Sequence, residues 1–348
     1  MKTSDFDYYL PEELIAQEPI LNREESRLLI LEKNSGKIED KKFYNIIDYL
    51  DKDSILVINN TKVVPARILG RKEETNAKIE LLLLKDLGDK NYECLAKPQR
   101  RLKIGTKIIF KDNILEAKVI DILPDGIVHV QFIFDGIFYE VLDEVGEVPL
   151  PPYIHKKLDK IDRYQTVYSK IKGSTASPTA GLHFTQKLLD DIKAKGIEIL
   201  EITLTIGLGT FRPVSVDNIE DHKMHSEKYH ISKEVADKLN KAKENHKKIV
   251  AVGTTSVRTL ESNYKKFNKF MEEISETSIF IYPGYKFMAV DELITNFHLP
   301  KSTLIMLVSA FSSRDNILNA YKYAVQNKFR FFSFGDAMYI KDDKEEKK

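Results

Sequence analysis

Six short stretches of the chain combine small residues with groups able to hold a ligand or carry a proton. The run GSTASPTAGLHF at 173–184 is built almost wholly of small residues and ends on His183 and Phe184. Such residues let a backbone come close to a ligand and offer it hydroxyl and N–H groups, so Thr179, Gly181 and Phe184 are candidate substrate contacts. VGTTSVR at 252–258 follows an apolar run and opens a helical segment. There Thr254 and Thr255 suit ribose hydroxyls or a carboxylate at a helix N-terminus, and Arg258 supplies a cation. TIGLGTFRP at 205–213 also ends an apolar run, and its glycines allow close approach beside Thr210.

HKMHSE at 222–227 and TNFHLPKST at 295–303 add His225, Glu227 and His298. With His183 these are the candidate catalytic residues, because imidazole and carboxylate groups exchange protons in general acid–base steps. Asn296, and Tyr285 in IYPGYKF at 281–287, offer an amide and a ring against which an adenine or an unstacked base can rest. The spacing of His222, His225 and Glu227 could put three ligands on one side of a turn. No HExxH arrangement and no cysteine assists them, so no metal is expected. There is neither a Walker loop nor a GxGxxG fingerprint, which counts against nucleoside triphosphates and dinucleotides.

The elements that carry these residues change in texture along the chain. LLIL at 28–31 and ILVI at 55–58 read as buried strands, with NSG at 34–36 a turn. From 63 to about 150, strand signals at 79–84, 92–96, 107–110, 115–120 and 127–134 follow one another with hardly a helical stretch. That pattern predicts a small barrel, closed by PLPP at 149–152 as a stiff linker. Beyond 153 helix and strand alternate, beginning with a helix over 185–195 whose N-cap is Thr185. A strand at 197–206, a helix from Ser232 and a strand at 248–252 continue the alternation. The expected fold is α/β: a main α/β domain made of residues 1–62 and 153–348, with an inserted all-β barrel domain at 63–152.

With 348 residues, 42% hydrophobic and 31% charged, the chain has the make-up of a soluble protein large enough for two cores. The apolar run LIMLV at 304–308 is far too short to span a bilayer, and MKTSDFD at the start lacks the apolar region of a signal peptide. Cytoplasmic location without membrane association is the expectation. The one cysteine, Cys94, reads as a small buried strand residue. The net charge of +1 conceals a division: residues 62–111 carry thirteen Lys and Arg against six acids, and 112–150 carry one Lys against nine. Arg67, Arg100 and Arg101 in the basic block are candidates for nucleic-acid phosphate, unless the two blocks neutralise one another across strands.

Taken with DFDY at 5–8, LPEELIAQ at 10–17, VVPAR at 63–67 and FFSFGDAM at 331–338, the six stretches resemble one family from end to end. It is the S-adenosylmethionine:tRNA ribosyltransferase-isomerase family of queuosine biosynthesis. The resemblance implies transfer and isomerisation of the ribosyl moiety of S-adenosylmethionine onto 7-aminomethyl-7-deazaguanine at the tRNA wobble position. Epoxyqueuosine-tRNA, adenine and methionine would result. S-adenosylmethionine is then consumed as co-substrate, with no cofactor and no metal, and a monomer is expected.

Two positions depart from the family pattern. Asn60 stands where Asp is frequent, and an amide cannot act as a base; the tryptophan often found before the YPG motif is missing. A conventional tRNA methyltransferase would require a glycine-rich loop after its first strand, and none follows Ile58. A non-catalytic RNA-binding module would leave the histidine motifs unexplained.

Overall fold

The computed structural model describes residues 1–112, 114–156, 158, 160–207 and 214–343. The chain opens with β1 (Arg27–Glu32), β2 (Ile38–Lys42), α1 (Ile46–Tyr49), β3 (Ser54–Asn59) and β4 (Thr61–Val63). Then come β5 (Arg67–Lys72), β6 (Lys78–Gly88), β7 (Asn91–Lys97), β8 (Lys107–Lys111), β9 (Leu115–Ile122), β10 (Ile127–Ile133), α2 (Phe138–Val145) and β11 (Gly146–Glu147). The rest alternates: β12 (Ile171–Ser174), α3 (Gln186–Ala194), β13 (Glu198–Leu204), β14 (Glu227–Ile231), α4 (Lys233–Glu244), β15 (Lys248–Val252) and α5 (Thr254–Phe267). It closes with β16 (Glu273–Thr277), β17 (Glu292–Asn296), α6 (Thr303–Phe311), α7 (Arg314–Gln326) and β18 (Ala337–Lys341).

Nine strands form one mixed sheet in the order β16-β14-β13-β3-β15-β17-β18-β1-β2. Its centre, β13 to β17, is parallel. Every residue of β3 is buried, as expected for a strand covered on both faces, whose sequence therefore reads as an unbroken apolar run. Successive side chains point to opposite faces. Thus Val57, Ala251 and Leu293 enter one core with α4 to α7, while Leu56, Val250 and Ile294 enter another with α3. α3 and α4 start where hydroxyls cap them: Thr185 Oγ1 accepts the Leu188 N–H at 3.0 Å and Ser232 Oγ that of Val235 at 3.4 Å.

The second sheet runs β11-β5-β6-β7-β10-β9-β8 and closes through β5 on β8, giving a six-stranded antiparallel barrel with β11 added at its rim. Alternate residues such as Val128, Val130 and Phe132 fill it, together with Cys94, whose thiol burial makes hard to ionise. Both the α/β sheet and the barrel are thus as expected. One helix was not. α2 forms where only strands and turns were anticipated, because Phe138, Val141, Leu142 and Val145 fall at helical spacing and Val141 and Leu142 enter the barrel core. Lys85–Glu276 at 3.1 Å and Lys172–Asp143 at 2.7 Å tie the barrel to the rest of the molecule. No helix among the described residues is long and apolar enough to cross a membrane.

Candidate active site

A cleft opens at the carboxyl edge of the parallel strands, where open α/β sheets receive their ligands. Its walls are residues 176–180, 253–255, 295–299 and 332–333, with Ile206 and Tyr153, around about 90 Å³. Gly253 turns the chain from β15 into α5 with φ +85°, a conformation that side chains other than glycine's disfavour. No side chain caps the first N–H groups of α5, and Thr254 and Thr255 stand at that end, facing the cleft. Ser256 does not join them, because its hydroxyl donates to the Val252 carbonyl at 2.7 Å. Asn59 braces the floor, accepting the Leu204 N–H at 3.0 Å and donating to Thr255 Oγ1 at 3.4 Å.

Two buried polar atoms in this cleft have no partner among the described residues: Ser177 Oγ and Asn296 Oδ1. The amide nitrogen of Asn296 explains its orientation. It donates to the Phe332 carbonyl at 3.1 Å, which can only accept, and to His183 Nε2 at 3.1 Å. The His183 proton is therefore on Nδ1, 2.7 Å from Ser26 Oγ. Ser26 and His183 form a strut that fixes the orientation of the Asn296 amide.

His183, a candidate for proton transfer, is not among the residues that line the cleft. Its ring is buried and stacked on Phe43 at 5.0 Å. Burial, with the charges of Arg330 and Arg23, lowers its pKa to about 3, so it stays neutral. His298 does line the cleft, with Nε2 2.9 Å from Thr295 Oγ1, but burial lowers its pKa to about 3 as well. Glu227 and Arg258 form a buried ion pair linking β14 to α5, and Arg258 also donates to the Thr277 carbonyl at 3.4 Å. Among the described residues neither lines the cleft; Arg258, the candidate donor contact, and Glu227, the candidate for proton transfer, are held by one another. His225 Nε2 lies 3.3 Å from Glu227 Oε1, outside hydrogen-bonding alignment.

Other candidates separate in the same way. Thr179, Thr254, Thr255 and Asn296 reach the cleft. Phe184 does not: it is a core residue set edge-on to Phe43. Gly181 lies under Tyr168, where an added Cβ would stand 1.9 Å from the phenol oxygen. The Tyr285 hydroxyl donates to Glu261 at 3.0 Å, and that carboxylate also accepts the N–H groups of Met288, Ala289 and Val290. Thr210 lies outside the described residues. Arg67 is paired with Glu80 at 2.8 Å and Glu147 at 3.7 Å, while Arg100 and Arg101 are exposed. Among the described residues no group of three or more His, Cys, Asp or Glu is placed to hold a metal. Ser26, Ser177 and Ser333 were not singled out from the sequence; Ser177 and Ser333 sit inside motifs already notable there, and Ser26 carries no local signal.

A cleft of this kind, closed by small residues and carrying unsatisfied polar atoms, belongs to an α/β protein that holds a small polar ligand. The chain belongs to the queuosine biosynthesis protein family, which it matches over residues 3–340. It is 57% identical over 341 residues to the S-adenosylmethionine:tRNA ribosyltransferase-isomerase of Clostridioides difficile, covering 98% of this chain and 100% of that one. The protein of the same name from Acetivibrio thermocellus is 55% identical with the same coverage. The crystal structure of S-adenosylmethionine tRNA ribosyltransferase from Thermotoga maritima is similar with a TM-score of 0.56 at 37% identity, covering 97% of this chain and 100% of that one.

Proposed function

We propose that this chain transfers and isomerises the ribosyl moiety of S-adenosylmethionine onto 7-aminomethyl-7-deazaguanine at the wobble position of tRNA. Epoxyqueuosine-tRNA, adenine and methionine are the products. The observation that carries this reading is the end-to-end match, at 57% identity over 341 residues, to a relative named for that activity. The cleft supports it chemically. The uncapped start of α5, with Thr254 and Thr255, suits the donor's carboxylate or ribose oxygens. Asn296 Oδ1 accepts a donor N–H or O–H, and Ser177 Oγ can do either. The cleft's about 90 Å³ is small beside the roughly 300–1,000 Å³ of pockets that enclose such molecules. The donor therefore enters only in part, or the cleft widens on binding.

Residues 1–62 and 153–348 are assigned to catalysis and 63–152 to RNA, with Arg100 and Arg101 offered to phosphate. His298 is the one proton-transfer candidate bordering the cleft. The donor is consumed as co-substrate, with no cofactor and no metal, by a cytoplasmic monomer. Incubation with ribose-labelled S-adenosylmethionine tests the reading. Label should enter tRNA carrying the aminomethyl base, with free adenine and methionine released, and unmodified tRNA should give little. Accumulation of S-adenosylhomocysteine would refute it.

A further inference from the structure

The outer wall of the barrel, where β5 closes on β8, holds an open groove of about 1300 Å³. Six cations line it: Arg71, Lys72, Lys78, Lys97, Arg101 and Lys111. Lys111 is neutralised by Glu144 at 2.5 Å, and two of the groove's acids are likewise occupied, Glu80 by Arg67 and Glu73 by Lys107. Among the described residues the other five cations have no ion-pair partner, against one unpaired acid, Asp112. The basic surplus seen in the sequence is therefore not cancelled across the strands within this groove.

We infer that this groove is a second RNA contact, gripping the phosphate backbone of a helical arm of the tRNA away from the base being modified. The inference rests on the reading of tRNA as substrate. Three features select that occupant. The cations, all but the half-buried Lys72 exposed, are spread along an open groove rather than converging on a buried point, so they suit a chain of phosphates better than one small anion. Single-stranded RNA is held by stacking on aromatic faces. Among the described residues that line the groove only Phe110 is aromatic, and its ring lies against Gly70, where an added Cβ would stand 2.6 Å from Cδ1. The position is also remote. Lys85 on β6 touches Glu276 of the large sheet, and Lys78 lies about 23 Å further along the same strand at ~3.3 Å per residue. The groove therefore lies away from this contact between the barrel and the large sheet.

The test uses the full chain with Lys72, Lys78 and Lys97 all changed to Ala, and Lys118→Ala on β9 as control. Loss of three phosphate contacts should lower the slope of log affinity against log salt by roughly 2.7. Between 50 and 200 mM salt the unaltered protein should then lose about 40-fold more affinity for full-length tRNA than the triple variant does. Donor binding, turnover at saturating tRNA and affinity for a short anticodon stem-loop should be unchanged. An unaltered salt slope, or an equal loss on stem-loop and full-length tRNA, would overturn the inference. Failure of the underlying reading is distinguishable: the unaltered protein would then neither bind tRNA nor split the donor.

Discussion

Two buried neutral histidines should make this protein sensitive to mild acid, and the size of the effect follows from their surroundings. His183 and His298 each have a pKa near 3 in the fold against 6.5 for an unperturbed imidazole. Below pH 6.5 the unfolded chain takes up a proton at each site, while the folded chain does not until about pH 3. The unfolded state therefore binds more protons in that window, and stability falls as pH falls, by ~1.4 kcal/mol per pH unit per histidine. From pH 7.5 to 5.0 the loss is about 2 kcal/mol for each and about 4 kcal/mol for both, a large part of a typical 5–15 kcal/mol. The chain has no tryptophan, so urea unfolding is best followed by far-ultraviolet circular dichroism at both pH values. His298→Gln, which keeps an amide facing Thr295, should lose about 2 kcal/mol less than the unaltered protein over that interval. His183→Gln should do the same, whatever each substitution costs at pH 7.5. If the acid sensitivity of both variants equals that of the unaltered chain, the imidazoles are not held neutral and the reasoning fails.

Ser177→Ala removes a buried hydroxyl that has no protein partner, so stability should be unchanged while donor affinity falls roughly five- to tenfold, the value of one hydrogen bond; equal affinity by calorimetry would remove Ser177 from the site. Gly181→Ala should cost about 1–3 kcal/mol through overpacking against Tyr168, and Tyr168→Phe should relieve part of it by deleting the colliding oxygen. A thermal melt showing no loss, or no relief, would contradict that packing. Glu227→Gln should destabilise by roughly 3–5 kcal/mol because Arg258 is left buried without its counter-charge. A variant that melts normally but no longer turns over would instead make Glu227 a chemical group.

Local pattern alone determined much of this protein. The apolar run at 55–58 forms β3, Thr185 and Ser232 cap helices where the sequence placed them, and closely spaced short strands announced the barrel. These features depend on neighbours within a few residues, where periodicity and capping act. The motifs also named the walls of the cleft, 176–180, 253–255 and 295–299. Which side chains face it was not legible. His183 and Glu227 stand in motifs as suggestive as those of Thr179 and Asn296, yet one became a strut between Ser26 and Asn296 and the other an ion-pair partner of Arg258. Ser26 and His183 are 157 positions apart, and His183 and Asn296 are 113 apart. Only tertiary packing brings such groups together, and burial, which sets their protonation, is a property of the assembled core rather than of any residue type.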